Sequence, residues 1–208
     1  MTSAAIGPLD LCRALAQRVI DRGARAVCLA AERRRMNRIR RHPAALRRAL
    51  RSAERLLVMC HGNIIRSPFA TQLISQALAG RSPVTVMSAG LGARSGTPAH
   101  PAALRAADAR SVDLSGHHAS AVAAELVAAS DVIFVMDLPQ IAAMRERFPE
   151  ASGKTFLLTC LAPELPLEVV DPFDRDEAAY HVCYEHIARA VRPIIRTLVA
   201  TPAVQSPA

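Results

Sequence analysis

A short apolar run, Leu56-Leu57-Val58-Met59, is followed by nine residues, Cys60-His61-Gly62-Asn63-Ile64-Ile65-Arg66-Ser67-Pro68, and then by Phe69, Leu73, Ile74, Ala77 and Leu78 at helical spacing. The apolar run reads as a buried strand. Ser67-Pro68 reads as a helix start, a cap-type residue ahead of a proline at the first helical position. A strand, a tight loop and a helix in that order constrain this chain more than any other stretch. Such a loop aims backbone N–H groups and the positive end of a helix dipole at one point, where an oxyanion can sit. Cys60 stands at its mouth and Arg66 closes it. Gly62 permits close approach of backbone, and Asn63 tolerates a left-handed conformation. The Cys-x5-Arg spacing recurs at Cys12/Arg18, Cys28/Arg34 and Cys183/Arg189, but none of those has a strand before it or a glycine inside it.

From Arg55 onward, strand-like and helix-like segments alternate. Strands are expected at 56–59, 84–87, 131–136 and 155–158. Helices are expected at 68–79, 101–109, 119–128 (opened by Ser120), 139–148 and 176–199, the last kinked at Pro193. The alternation implies an α/β fold of three layers, a four-stranded parallel sheet with helices on both faces. Ligands in such sheets bind at the carboxyl ends of strands beside a topological switch point. The Cys60 loop follows the first strand and occupies that place.

The net charge of +8 is unevenly spread. Residues 1–55 hold fourteen arginines against Asp10, Asp21, Glu32 and Glu54, whereas the rest of the chain is slightly acidic. Basic character therefore belongs to the N-terminal segment and says little about the remainder. Residues 9–41 carry helical periodicity through Leu11, Leu15, Val19, Ala26, Leu29 and Ala30. After Pro43, Leu46, Leu50 and Ala53 suggest a second short helix. This basic extension reads either as a solvated, partly disordered arm or as one drawn to anionic lipid headgroups or an acidic, phosphorylated partner. It lacks aromatic residues to stack on bases, so nucleic acid is the weakest partner for it. Five cysteines without close pairs do not form a disulfide framework. A thiol nucleophile needs a reducing compartment, which points to the cytoplasm. Residues Met1–Pro8 lack the basic and apolar regions of a secretory signal. No apolar run reaches the roughly 18 residues of a membrane span.

The Cys60 loop resembles the signature of the low-molecular-weight protein tyrosine phosphatases, C-x-G-N-x-C-R-S-P. The match falls on Cys60, Gly62, Asn63, Arg66, Ser67 and Pro68, and it departs at Ile65, where most members carry a second cysteine. The resemblance runs from about Arg55 to about Val199. It implies an arginine-rich helical or disordered extension over 1–54, a phosphatase domain over 55–200 and a disordered tail over 201–208.

Phosphate monoesters are dianions that resist anionic nucleophiles, so charge must be neutralised and a good nucleophile supplied. The helix N-terminus, the loop amides and Arg66 all favour negative charge on the Cys60 sulfur. Arg66 can bind two phosphate oxygens side by side. The backbone of His61, Gly62, Asn63, Ile64, Ile65 and Arg66 would take the rest, as charge redistributes over the transferring group. Asp171, in Asp171-Pro172-Phe173, could be an ordinary turn residue. The resemblance implies that it is the general acid, and then the base that activates water against a cysteinyl phosphate. The resemblance further implies that Ser67 steadies the Cys60 sulfur and that Ser88 and His117 hold Asn63. It implies a cleft wall with Leu91 and Arg94, and Phe173 as the aromatic contact. No metal or cofactor is expected. The Ser88-Ala89-Gly90-Leu91-Gly92-Ala93 stretch looks like that of the bacterial subgroup tied to capsule and exopolysaccharide synthesis, which implies a phosphotyrosine protein as partner, a tyrosine autokinase above all. Two alternatives stand beside this. An arsenate reductase on the same fold would need two more cysteines mid-chain, and residues 61–159 have none. A phosphate-binding module without catalysis would lack the acid.

Overall fold

The computed structural model describes the backbone of residues 8–200 and the side chains of residues 22–200. The helices are α1 (Pro8–Arg41), α2 (Ala44–Arg51), α3 (Arg66–Leu78), α4 (Pro101–Asp108), α5 (Ala124–Ala129), α6 (Leu138–Arg147) and α7 (Glu177–Val199). The strands are β1 (Arg55–Cys60), β2 (Thr85–Gly90), β3 (Val132–Val135) and β4 (Thr155–Leu157), with short 3-10 turns at Pro149–Gly153 and Leu158–Leu161. All strand pairs are parallel, in the order β2-β1-β3-β4. Leu56 to Cys60 and the whole of β3 are buried, the continuous apolar reading of strands covered on both faces. α3 and α4 each pack against α7, while α6 packs with α1 and β4.

The chain leaves β1 towards β2 and later returns on the other side of β1 to form β3 and β4. The winding direction therefore reverses between β1 and β3, and a crevice opens beyond their carboxyl ends. The residues delivered there are Cys60, at the end of β1, and Asp137, just past β3. The four-stranded parallel architecture is the expected one.

One local expectation changes. The helix expected over 119–128 is Ala124–Ala129. Ser120 does not open a helix, because its amide is taken by a side chain of the Cys60 loop and Ala121 bridges to Gly90. α7 runs on through Pro193 to Val199.

The extension is helical, but over residues 32–54 it is docked rather than solvated. Met36 is fully buried and lies 3.7 Å, sulfur to sulfur, from Cys160. Leu46 and Leu50 are buried on α2, which packs on α7. Glu32 is buried between Arg35 (3.3 Å) and Arg145 (2.8 Å). Arg35 donates to the carbonyls of Ser152 (2.6 Å) and Thr155 (3.3 Å) and lies over the ring of Phe156. Arginine suits this work, since its apolar stem packs while its planar head finds carbonyls. No helix of the described residues is long and apolar enough to cross a membrane. The expected tail at 201–208 and the residues before Pro8 lie outside the described residues.

Candidate active site

β1 ends at Cys60, and its pairing with β2 continues past the strand. The carbonyl of Cys60 accepts from Leu91 N (3.0 Å) and that of His61 from Gly92 N (3.0 Å). A Cβ at Gly90 would sit 2.5 Å from His61 O and 2.9 Å from Asn63 N, so glycine is required for the loop to lie against β2. Gly62, singled out above for close approach, is not so constrained, since a Cβ there would meet only the flexible Ile64 side chain at 3.4 Å.

The chain then turns at Asn63, whose φ of 52° is the left-handed conformation expected of it. Its buried side chain works at both ends. Nδ2 donates to Ser67 Oγ (2.8 Å) and Oδ1 accepts from Ser120 N (2.8 Å). The Asn63 carbonyl lies 2.7 Å from His117 Nε2; a carbonyl only accepts, so that nitrogen carries the proton. The carbonyl of Ile64 accepts from His100 N (2.9 Å), and that of Ile65 from Tyr184 OH (3.1 Å). The loop carbonyls of Cys60, His61, Asn63, Ile64 and Ile65 are thus drawn outward. Because each peptide is planar and trans, the N–H that follows each of them points the opposite way, into the loop. The Asn63 amide shows where inward is, donating to Cys60 Sγ at 3.2 Å.

α3 begins at Arg66, with Ile65 in the cap position and no side chain capping it. Its first amides stay available to an anion. Ser67 is therefore not the helix cap that its type suggested. Its hydroxyl accepts from Asn63 Nδ2 and lies within hydrogen-bond distance of Cys60 Sγ, 3.1 Å away, where it can donate to a sulfur anion. Tyr184 lies beneath the loop, stacked on Phe69 with ring centroids 3.8 Å apart. Burial pushes its phenol well above the usual range, so it remains a donor. Burial also pushes the neighbouring Cys183 thiol up to about 12.

Arg66 is buried, and its guanidinium is shared among three acceptors. One terminal nitrogen donates to Asp137 Oδ2 and Val169 O, both at 3.0 Å, and the other to Asp171 Oδ2. Its Nε is buried without a partner among the described residues, a donor suited to an oxyanion in the loop. Asp171 Oδ1 accepts from Phe173 N (3.2 Å), so Asp171-Pro172-Phe173 is a turn closed by its own carboxylate. Phe173 is half-exposed and meets His100 edge-on at 5.9 Å. His100 in turn stacks on Tyr180 at 5.5 Å and accepts from its hydroxyl at 3.2 Å.

A buried thiol inside a ring of amides, with an arginine and an aspartate over it, is the geometry of an oxyanion-binding nucleophile site, and residues 55–203 match the family model described as low molecular weight phosphotyrosine protein phosphatase. The chain belongs to that family. The phosphatase is 38% identical over 146 residues to the probable low molecular weight protein-tyrosine-phosphatase EpsP of Ralstonia nicotianae, covering 69% of this chain and 97% of that one. It is 35% identical over 146 residues to the low molecular weight protein-tyrosine-phosphatase Wzb of Salmonella typhimurium, covering 70% and 95%. Among solved structures, the tyrosine phosphatase Wzb of Escherichia coli K30 in complex with sulphate superposes with a TM-score of 0.66 at 28% identity, covering 70% of this chain and 99% of that one.

In this phosphatase most of the expected residues converge. Cys60, His61, Gly62, Asn63, Ile64, Ile65, Arg66 and Ser67 form the loop, and Asp171 reaches Arg66 across 105 residues of chain. His117 holds Asn63, though through the main chain. Ser88 does not: it lies inside β2 opposite Val58, two residues short of the Cys60 level, and makes no bond to Asn63. Ser120 N takes that position. Leu91 is fastened beside Cys60 and also accepts from Arg147 (2.6 Å) through its carbonyl, while Arg94 is exposed in the same loop.

Asp137, His100, Ser120 and Tyr184 were missed by sequence reasoning. Asp137 had a signal. It caps α6 by accepting from Gln140 N (3.0 Å), and Asp137-Leu138-Pro139 after an apolar strand is a helix-start pattern at the carboxyl end of a sheet strand. The other three act on the loop from 36 to 119 residues away along the chain, with no local pattern to mark them.

Proposed function

We propose that this phosphatase hydrolyses protein phosphotyrosine through a cysteinyl-phosphate intermediate. The observation that carries this is the meeting of Asp171 with Arg66 over the Cys60 loop. The phosphoryl oxygens take the inward loop amides and Arg66 Nε. Cys60 Sγ attacks phosphorus in line, the P–O bond to the ring breaks, and Asp171 gives the departing phenolate its proton. Asp171, now a carboxylate, takes a proton from water as that water attacks phosphorus. The S–P bond breaks and inorganic phosphate leaves. Asn63 and Ser67 stabilise the sulfur through the Asn63 amide and the Ser67 hydroxyl. That the Wzb structure is a complex with sulphate supports the binding of an oxyanion by this phosphatase too.

Turnover of phosphotyrosine peptides tests the reading. Cys60→Ser abolishes it, and Asp171→Asn lowers kcat on the order of 10²- to 10³-fold, within the range general acid catalysis supplies. Phosphoserine and phosphothreonine peptides are poor substrates, since their short side chains do not bring phosphorus to a sulfur at the loop base. Absence of wild-type turnover defeats the proposal.

Similarity to EpsP and Wzb supports a cytoplasmic bacterial tyrosine autokinase of exopolysaccharide export as the physiological substrate. Exposed Arg34, Arg38 and Arg41 on α1 support contact with an anionic membrane surface, at about 1 kcal/mol per arginine. Vesicles containing phosphatidylglycerol, but not neutral ones, should co-sediment the protein, and replacing those three arginines by glutamine should release it.

A further inference from the structure

The segment between the Leu158–Leu161 turn and α7 carries Asp171, includes Pro163, Pro166 and Pro172, and forms no helix or strand. What holds it in place comes in part from the N-terminal extension, which lies outside the family match at 55–203. Arg40 Nη2 donates to two carbonyls of this segment, Ala162 O at 3.0 Å and Leu165 O at 2.6 Å. Arg33 Nη2 donates to Glu168 Oε1 at 2.9 Å. The other oxygen of Glu168 accepts from Leu138 N at 3.0 Å, next to Asp137. Val169 follows, bonded through its N–H to Met136 O (2.8 Å) and through its carbonyl to Arg66 (3.0 Å). Asp171 is two residues further on. Met36, one turn before Arg40 on α1, is buried against Cys160 and seats the helix beside the start of the segment.

We propose that Arg40, supported by Arg33, is a positioning residue for Asp171, so that the N-terminal extension sets where the acid stands. This rests on the assignment of Asp171 as general acid. Arg40 carries more of the effect than Arg33. Its guanidinium is partly buried and bridges two carbonyls three residues apart, which fixes the curvature of the segment. The Arg33–Glu168 pair is exposed on the arginine side and screened by solvent. A proton donor that stands even slightly away from the leaving oxygen loses much of its effect.

The test is kcat/KM across aryl phosphates of rising leaving-group basicity, from 2,4-dinitrophenyl phosphate, which departs without a proton, to phenyl phosphate, which needs one. Asp171→Asn is the reference and loses activity more steeply as the leaving group becomes more basic. Arg40→Ala should follow the same trend, losing about tenfold on phenyl phosphate and at most about twofold on the dinitrophenyl ester, with Arg33→Ala about twofold on phenyl phosphate. Arg40→Lys, which keeps charge and donors, should recover most of the loss. Arg40→Ala added to Asp171→Asn should cost nothing further, because there is no acid left to position. An equal loss on every ester, or none, overturns the proposal while the acid assignment stands. A flat Asp171→Asn series removes the acid assignment and the proposal with it. Should Arg40→Ala fail to fold, Arg40→Gln and the exposed Arg33→Ala carry the same comparison, and an equal loss on every ester, or none, in both overturns the proposal.

Discussion

Gly90 and Gly62 flank the same sulfur, yet only Gly90 is sterically compelled. Gly90→Ala drives a Cβ into His61 O and Asn63 N, both backbone atoms that cannot swing aside. It should cost turnover at least about tenfold, since the reacting groups then miss a near-attack geometry. Gly62→Ala should cost less, and steady-state kinetics on 4-nitrophenyl phosphate compares the two. Sequence alone ranks these glycines the other way, because a glycine inside a signature loop draws attention and one at the end of the next strand does not. The same limit explains Ser88. The family resemblance implies Ser88 as a holder of Asn63, while the group that holds its side-chain oxygen is the backbone amide of Ser120, which no residue type announces. Ile65 in place of a second loop cysteine bears on oxidation. Cys183 lies near enough to Cys60 for the two to influence each other, but its thiol is pushed up to about 12 and is a poor nucleophile towards an oxidised sulfur. Peroxide inactivation should therefore be poorly reversed by dithiothreitol; full recovery would contradict this.

Elements place these residues. β1, the loop and α3 were legible because a buried strand, a turn residue and a helical repeat are each local patterns. The support beneath them was not, since α7 reaches the loop only after the whole sheet has formed. Tyr184 shows what that support does: its ring stacks on Phe69 and its hydroxyl holds Ile65 O. Tyr184→Phe keeps the stack and removes the bond. The expected cost is about 1 kcal/mol in stability, read from urea unfolding, with a fall in kcat larger than any change in KM. The uncapped start of α3 follows the same logic. A serine in the first turn would ordinarily satisfy backbone amides, but here its hydroxyl is committed to Asn63 and the thiol, and the amides are left to the substrate.

At the scale of the molecule, the alternation of strands and helices was enough to place the site, because a parallel sheet has few places where its winding reverses. The role of residues 32–54 was not legible. Leu46 and Leu50 marked a short helix but not what it packs on, Met36 sits among arginines, and docking depends on carbonyls that only the folded core presents. Leu50→Ala should lower stability by about 2–5 kcal/mol, as for other buried leucines. For a chain of this size that is roughly 5–15 °C in Tm. Alkaline stability follows from two buried thiols, raised from 9.0 to about 11 at Cys160 and about 12 at Cys183. Both are neutral in the fold, so their contribution is complete below about pH 9 and is lost as pH rises towards those raised values. Tm should be level to about pH 9 and then fall, with a shallower fall in Cys183→Ala.

α1 has 34 residues, and at 1.5 Å per residue it is a rod of roughly 50 Å. It is clamped near one end by Glu32, Arg35, Met36 and Arg40, while Arg22 to Val27 face solvent. A partner that gripped this rod away from those bonds would bear on Arg33 and Arg40 together, and through the positioning proposed for Arg40 the rate of the chemistry would then report on what the helix holds.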